Sequence, residues 1–480
     1  MSTVAIIGAG PSGIVSAKTA IECGLKPMVF EKSSRIGGLW KPESGSVWES
    51  MHTNISYHTC QFSDFPWKEG VQDFPDQAEV NEYLNEYATA FKIPPHLQFD
   101  SEVKKVAMSN GKWQVEWLNG DNRYVKTFDF VIICSGIFSK AFIPEIPGIE
   151  AFKGEVLHAK DYKNRGAFKD RRVAVVGNAF SGCEIAADLA KRAARVTNFM
   201  RRPVWILPRY LSKQPLDLVF YSRAAAERSK GIAPEELNKI KNCWFQTLCK
   251  LQGEVCPDLE VKAPATTPPF VSISDTYLES VAKGKIEVKT GVIDRFENFD
   301  AIIFCTGYQI AFPFLDPDTL SKLAFRPDDQ HQPLLLHKTV FHPSLPKMAF
   351  VGMNRGPYFG TMELQARWAC MSFGGQIPLP SDEEMQKGIK DELEIRERVP
   401  RPQFPHGDYV TFSEDLASQI GVVPNFTIMK KEEPRLYQRL WDGPFSNASY
   451  RLSGFGKNPQ VALELIERMN PDEEKKDSEE

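Results

Sequence analysis

Two short apolar runs, each followed at once by a glycine-rich turn and a helical pattern, constrain this chain more than any other feature. The first is VAIIG, residues 4–8, which leads into Gly8, Gly10 and Gly13 with GxGxxG spacing. A helical pattern follows and stops at Gly24, and the next apolar run, PMVFEK, closes on Glu31 and Lys32. The second unit repeats the plan with RRVAVVG, the turn GNAFSG from Gly177 to Gly182, a helical CEIAADLAKRA and the run ARVTNFMRR. The two are too divergent for a tandem repeat and predict two separate dinucleotide folds in one α/β chain.

Glycines in such a turn allow close approach. Gly8 permits the tight turn, Gly10 lets a pyrophosphate touch the backbone, and Gly13 lets the helix pack on the strand. The helix N-terminus then directs amide hydrogens at the phosphate charge. Glu31 stands 23 residues past Gly8. An acid at that distance accepts ribose hydroxyls and repels a 2′-phosphate, so this turn is suited to FAD or NAD. In the second turn Ala179 replaces the middle glycine, and its methyl group pushes a pyrophosphate outward. The run after it ends in Arg201 and Arg202 with no acid, and guanidinium forks there accommodate the 2′-phosphate of NADPH.

Three further apolar runs end in small residues and glycine, at 129–136, 300–308 and 347–354, as expected where a parallel strand meets a ligand at its carboxyl edge. Residues 210–285 change character and read as a helical excursion of the second unit. The 480 residues allow about two to four domains. With 58 basic against 62 acidic residues, nothing suggests a nucleic-acid binder. The nine cysteines are odd in number and lack CxxC spacing, which argues against a disulfide framework, a zinc knuckle and a flavin-facing dithiol. Cys134 and Cys305 sit in apolar runs where reduced, buried thiols are common. No run reaches the roughly 18 apolar residues of a membrane span. No leader is visible before the first run, so the expectation is a cytoplasmic protein without a metal and without a transmembrane anchor.

Beyond these units the residues resemble the flavin-containing monooxygenases, the class B flavoprotein oxygenases. Phe152, Gly154, His158 and Tyr162 fit the signature FxGxxxHxxxY just before the second turn. FCTGY at 304–308 is similar to the family's FATGY with Cys for Ala, and GGLW at 37–40, FSDFPW at 62–67, ELQARWA at 363–369 and YRLSG at 450–454 extend the likeness. It spans most of the chain and is weakest across 210–285.

The resemblance implies two Rossmann-like domains, with the NADPH domain inserted into the FAD domain. The expected boundaries are 1–162 and 288–465 for FAD, 163–287 for NADPH, and an acidic disordered tail at 466–480. It implies that NADPH reduces FAD, that a flavin C4a-hydroperoxide forms with molecular oxygen, and that a tertiary amine or thioether takes the distal oxygen. The protein then supplies no nucleophile, because the cofactor carries the hard chemistry. Asn54 matches the family's active-site asparagine, whose uncharged amide both donates and accepts. The expected FAD set is Gly8, Gly10, Pro11, Ser12, Gly13, Glu31 and Lys32, with Gly38, Leu39, Trp40, Thr53, Asn54, Ser135 and Gln365. The expected NADPH set is Gly177, Asn178, Ser181, Gly182, Arg201 and Arg202, and Thr306, Gly307 and Tyr308 are expected among the cofactor-binding residues. Gln365, Arg367 and Trp368 are expected to begin a helix near the flavin, and His52 and His58 to flank Asn54 either on the substrate face or in a surface loop. His158 and the Tyr162 segment are read as the joint between domains. Related Baeyer–Villiger enzymes carry Trp where Tyr162 stands, which argues for heteroatom oxygenation. Baeyer–Villiger oxidation of ketones and uncoupled release of hydrogen peroxide remain the alternatives, and a homodimer is plausible by family likeness.

Overall fold

The computed structural model describes residues 1–42, 46–253, 256–293 and 296–469. Its frame is a pair of five-stranded, all-parallel sheets. In the first, the strand Thr3–Ile7 is central, with Lys26–Phe30 and Leu97–Gln98 on one side and Phe130–Ile133 and Met348–Phe350 on the other. In the second, Arg172–Val176 is central, with Arg195–Met200 and Ile286–Thr290 on one side and Ala301–Phe304 and Glu155–His158 on the other. The central strands are continuous apolar runs because both of their faces are covered, and Val4 to Ile6 and Val173 to Val175 have no exposed surface.

In each sheet the chain leaves the central strand to one neighbour and returns later on the other side. That reversal opens a crevice at the carboxyl edge, where open α/β sheets bind ligands. The turn Gly8–Gly13 lies at the first reversal, beside the end of Phe130–Ile133, and Gly177–Gly182 at the second, beside the end of Ala301–Phe304. The helices Pro11–Glu22 and Phe180–Leu189 start from these turns, each entered through an extended residue, Gly10 or Ala179.

Pairing moves the expected domain boundary. Glu155–His158 and Ala301–Phe304 hydrogen bond within the second sheet, and Ile286–Thr290 extends past residue 287. Residues 155–162, 288–293 and 296–304, assigned from the sequence to the first unit, therefore pack with the second. An apolar run does not encode which sheet it joins, and here the second central strand takes Ala301–Phe304 as the first takes Phe130–Ile133. The helix Pro459–Met469 runs past 465, and the rest of the expected tail, 470–480, lies outside the described residues.

The excursion is also not confined to the second unit. Its strand Trp205–Leu207 pairs with Val271–Ile273, followed by a two-residue hairpin and the helices Leu216–Phe220, Arg223–Ser229 and Pro234–Leu251. Arg223 reaches Glu414 at 2.6 Å, the Leu440 carbonyl at 2.9 Å and the Ser449 hydroxyl at 2.8 Å, all in the C-terminal part of the chain. Among the described residues no helix is long and apolar enough to cross a membrane.

Candidate active site at two dinucleotide turns

The two turns are built alike at their first and third glycines. Gly8 has φ +107° and Gly177 φ +112°, conformations that favour glycine. A Cβ on Gly8 would lie 2.6 Å from the Cys134 carbonyl oxygen, and one on Gly177 would lie 2.4 Å from that of Cys305. A Cβ on Gly13 would lie 1.9 Å from the Gly8 carbonyl oxygen, and one on Gly182 would lie 2.2 Å from that of Gly177. So the first and third glycines are demanded by backbone packing, and each turn rests on a buried cysteine from the neighbouring strand. Burial pushes the Cys134 thiol up to about 12 and the Cys305 thiol up as well, so neither is a thiolate at neutral pH.

The middle glycine behaves differently. A Cβ on Gly10 would meet only Gly38 backbone, its Cα at 3.4 Å and N at 3.8 Å, so protein packing leaves room there. Gly38 faces it from the short helical turn Gly38–Trp40, tied down by Gly37 N–H donating to the Ala9 carbonyl at 3.0 Å. Two glycines thus line one cradle, which fits a pyrophosphate lying against backbone. Ser12 opens the helix and packs against Gly352, where a Cβ would come 2.0 Å from the hydroxyl.

Glu31 is buried at the end of its strand. Its Oε1 accepts from Lys41 Nζ at 3.0 Å, Ser33 N–H at 3.0 Å and the Ser33 hydroxyl at 2.7 Å, while among the described residues Oε2 accepts only from Ala9 N–H, at 3.0 Å. Burial raises its pKa, but Lys41, Ser33 and the Ala9 amide outweigh that and hold the carboxyl below its ordinary range. The carboxylate is ionised and Oε2 keeps capacity to accept a ribose hydroxyl. Lys32 is exposed, whereas Lys41, which the sequence pattern did not single out, holds the acid.

At the second turn Asn178 is directed inward. Its amide donates to the Arg202 carbonyl at 2.8 Å and joins the turn to the strand end. The Arg202 guanidinium lies 4.8 Å from the centre of the Phe270 ring. Arg201 is exposed and has no ion pair or hydrogen bond among the described residues, so it is the arginine available to a phosphate. Ser181 is half-buried in the first helical turn and Ser135 is exposed past its strand end.

The signature segment packs within the second unit. Gly154 has no room for a Cβ, which would lie 2.6 Å from the Asp300 carbonyl oxygen. His158 donates through Nε2 to the Gly307 carbonyl at 2.9 Å and accepts through Nδ1 from Lys160 N–H at 3.1 Å, which fixes a neutral tautomer. Burial lowers its pKa in keeping with that. Tyr162 is fully buried, and its hydroxyl donates to Asp188 at 2.7 Å. Neither group is free to meet a substrate, so Tyr162 informs on the substrate only through the packing it supports. Thr306 donates to the Phe142 carbonyl, and the Tyr308 ring meets His158 edge-on at 5.0 Å.

Asn54 is half-buried, and its amide makes no hydrogen bond among the described residues. The neighbouring Thr53 hydroxyl is buried and also unpartnered, an orphan that a ligand would satisfy. His58 is packed flat on Tyr57 with centroids 3.9 Å apart, and burial, with Arg468 nearby, lowers its pKa to about 4. The ring is half-buried and stays neutral at physiological pH. His52 is half-buried, with Nδ1 3.1 Å from the Ser50 carbonyl. Gln365 is corrected as well: it lies in the middle of the helix Phe359–Phe373, fully buried, accepting from Gly352 N–H at 2.9 Å and donating to the Thr339 hydroxyl at 2.6 Å. It shapes the Gly352 bend that faces Ser12. Arg367 and Trp368 are equally buried, and Arg367 binds the Tyr450 and Phe455 carbonyls. These residue types read as site residues in sequence because polar groups in a motif look alike whether they face a ligand or a core.

Two dinucleotide cradles, one with an acid and one with a free arginine, and an unengaged amide define a two-nucleotide oxidoreductase. Residues 1–468 match the flavin-binding monooxygenase-like (FMO-like) family. Flavin-containing monooxygenase 5 of Mus musculus is 33% identical, over 95% of this chain and 89% of its own length. Dimethylaniline monooxygenase (N-oxide-forming) 2 of Rattus norvegicus is 32% identical over the same shares. The fold is similar to that of S-allyl-L-cysteine S-oxygenase from Allium sativum, with a TM-score of 0.63 at 23% identity over 98% of both chains. It is also similar to cyclohexanone monooxygenase, with a TM-score of 0.64 at 19% identity over 87% of this chain and 98% of that one. The chain belongs to the flavin-binding monooxygenase-like family and is an FAD-containing monooxygenase that uses NADPH.

Proposed function

We propose that the protein transfers one oxygen atom of O2 to a soft nitrogen or sulfur atom of a small molecule. In this reading FAD lies along Gly8–Gly13 with its adenosine ribose on Glu31. NADPH lies along Gly177–Gly182 with its 2′-phosphate on Arg201. When bound, the flavin supplies hydride acceptance and oxygen activation, chemistry that no side chain of the set offers. The residues bind, orient and exclude water. Gly10 and Gly38 let the pyrophosphate reach backbone amides, Glu31 selects an unphosphorylated ribose, and Asn54 presents a neutral amide that donates without altering local charge.

The observation that carries the reading is the contrast at the two strand ends, an ionised and buried Glu31 against an exposed and unpaired Arg201. One end suits a plain adenosine and the other a phosphorylated one. The relative named N-oxide-forming and the neighbour named S-oxygenase support nitrogen and sulfur as acceptors. The free cysteines suit a reducing compartment such as the cytoplasm.

The test follows sulfoxide, hydrogen peroxide and NADPH together after mixing the protein with FAD, NADPH and a thioether. Sulfoxide in step with NADPH supports the proposal. Peroxide alone assigns an oxidase, and an ester from a ketone with no sulfoxide assigns Baeyer–Villiger chemistry.

A further inference from the structure

Asn54 is held from outside its own unit. After Trp205–Leu207 the excursion forms a tight hairpin, Tyr210–Leu211 against Gln214–Pro215, and Leu216 N–H donates to the Arg209 carbonyl at 2.8 Å. That bond locks together the two shoulders of the hairpin, Arg209 and Asp217, and both reach the segment around Asn54. Arg209 Nε donates to the Thr53 carbonyl at 3.1 Å, which is the carbonyl of the Asn54 peptide plane. Asp217 Oδ2 accepts from Ser56 N–H at 3.1 Å, the Ser56 hydroxyl at 2.7 Å and the Thr59 hydroxyl at 2.6 Å. The asparagine is thus gripped one residue before and two residues after.

The same guanidinium also reaches the second unit. Arg209 Nη2 lies 2.9 Å from Glu184, two residues past Gly182 on the helix that starts at the second turn, and Nη1 lies 3.1 Å from Asp275. Arg209 is 8% exposed and Asp217 is 6% exposed. Asp217 has no cation beside it among the described residues, and its Oδ1 has no hydrogen-bond partner. An acid so buried is a poor choice for stability, since an apolar residue of similar volume serves packing better. Its three donors on one oxygen instead fix a loop.

We infer that Arg209 and Asp217 are positioning residues that hold the Asn54 peptide and so set the share of turnovers that oxygenate substrate. This rests on the reading of Asn54 as the amide at the reacting centre. In a coupled turnover NADPH, a proton, O2 and substrate give NADP⁺, water and oxygenated substrate. In an uncoupled one NADPH, a proton and O2 give NADP⁺ and hydrogen peroxide. Both move two electrons from NADPH, and only the second wastes the oxygen.

The experiment compares Arg209→Gln, Asp217→Leu, Asp217→Asn and Asn54→Ala in the flavin-loaded enzyme. It measures product and peroxide per NADPH, flavin content, and KM for NADPH separately from kcat. Arg209→Gln and Asp217→Leu are expected to lower product per NADPH by about tenfold, as a small misplacement of a positioning group does. Peroxide rises to match, while flavin content and KM for NADPH stay at parent values. Asp217→Asn restores coupling, because its carbonyl oxygen accepts the same three donors. Parent coupling in both disruptive variants overturns the inference, and so does loss of product in step with flavin. If Asp217→Leu does not fold, Ser56→Ala removes the 2.7 Å bond from the other partner and is read the same way. Uncoupling by Asn54→Ala without uncoupling by the hairpin variants sinks the positioning role alone. Parent coupling in Asn54→Ala sinks the reading of Asn54 and the positioning role with it.

Discussion

Gly10 and Gly13 stand three residues apart and face different things. A Cβ on Gly13 would run into the Gly8 carbonyl at 1.9 Å, whereas one on Gly10 would sit 3.4 Å from the nearest protein atom. Gly13→Ala should therefore destabilise the protein itself, by about 1–3 kcal/mol from overpacking. Gly10→Ala should change apo stability by less than about 1 kcal/mol at an extended helix-capping position, yet lose flavin. Thermal melts of the apoprotein and the visible absorbance of bound flavin separate the two. Equal melting losses would mean that the cradle was needed by the fold and not by a ligand. Ala179 in the second turn is the natural counterpart of that change. The arginines at the second strand end divide in the same way. Arg201→Ala removes a free guanidinium and should raise KM for NADPH by about 10- to 100-fold, the worth of one charged hydrogen bond, with KM for NADH unchanged. Arg202→Ala should do less, because that side chain is committed to Phe270. Equal effects on NADPH and NADH would remove the basis for the 2′-phosphate assignment.

The hairpin that carries Arg209 and Asp217 turns through Ser212 at φ 49° and Lys213 at φ 69°, a two-residue loop with both central residues in the left-handed region. Such loops favour Asn-Gly, and a lysine there is strained. Lys213→Gly should stabilise the protein by about 0.5–1 kcal/mol, read as a higher urea midpoint; a lower midpoint would mean that the lysine has a compensating role. This hairpin also marks how far sequence reaches. The strand–turn–helix units were legible because each is local, with glycine spacing, helix stop and terminal acid or arginine all within about thirty residues. Asn54 is marked only by a motif, which the coupling experiment tests. Lys41 on Glu31 carries no motif of its own, and the reach of Arg209 and Asp217 to 53–59 was not legible, since no period or spacing links partners more than 150 residues apart. The sheet that Ala301–Phe304 joins is set by a partner strand far along the chain, and a buried Gln365 looks in sequence like one that meets a cofactor.

Across the whole molecule the histidines act together on acid stability. His58, His331 and His337 lie on separate parts of the first unit, and in all three burial is the largest influence and lowers the pKa to about 4. Cations add to it: Arg468 at His58, Arg355 and Arg401 at His331, Lys338 at His337. In the unfolded chain each titrates near 6.5. The folded protein keeps these rings neutral, so between pH 6.5 and 4 the unfolded chain binds more protons than the native one. Stability is then fully present above about pH 6.5, falls as pH drops through that window, and takes no further loss from these groups below about 4. The slope is at most about 1.4 kcal/mol per pH unit for each histidine. Glu31, held below its ordinary range, acts in the same direction only at lower pH, where carboxylates protonate. Urea midpoints should accordingly be flat from neutral pH upward and decline steadily from pH 6.5 to 4.5. In His337→Asn the decline should be shallower by about one third of that histidine-driven slope. The comparison is between slopes, because the substitution also disturbs packing against Gly388 and Trp368. A midpoint that held constant down to pH 4.5 would mean that these rings are solvated enough to charge in place, and the buried, neutral environment assigned to them would be wrong.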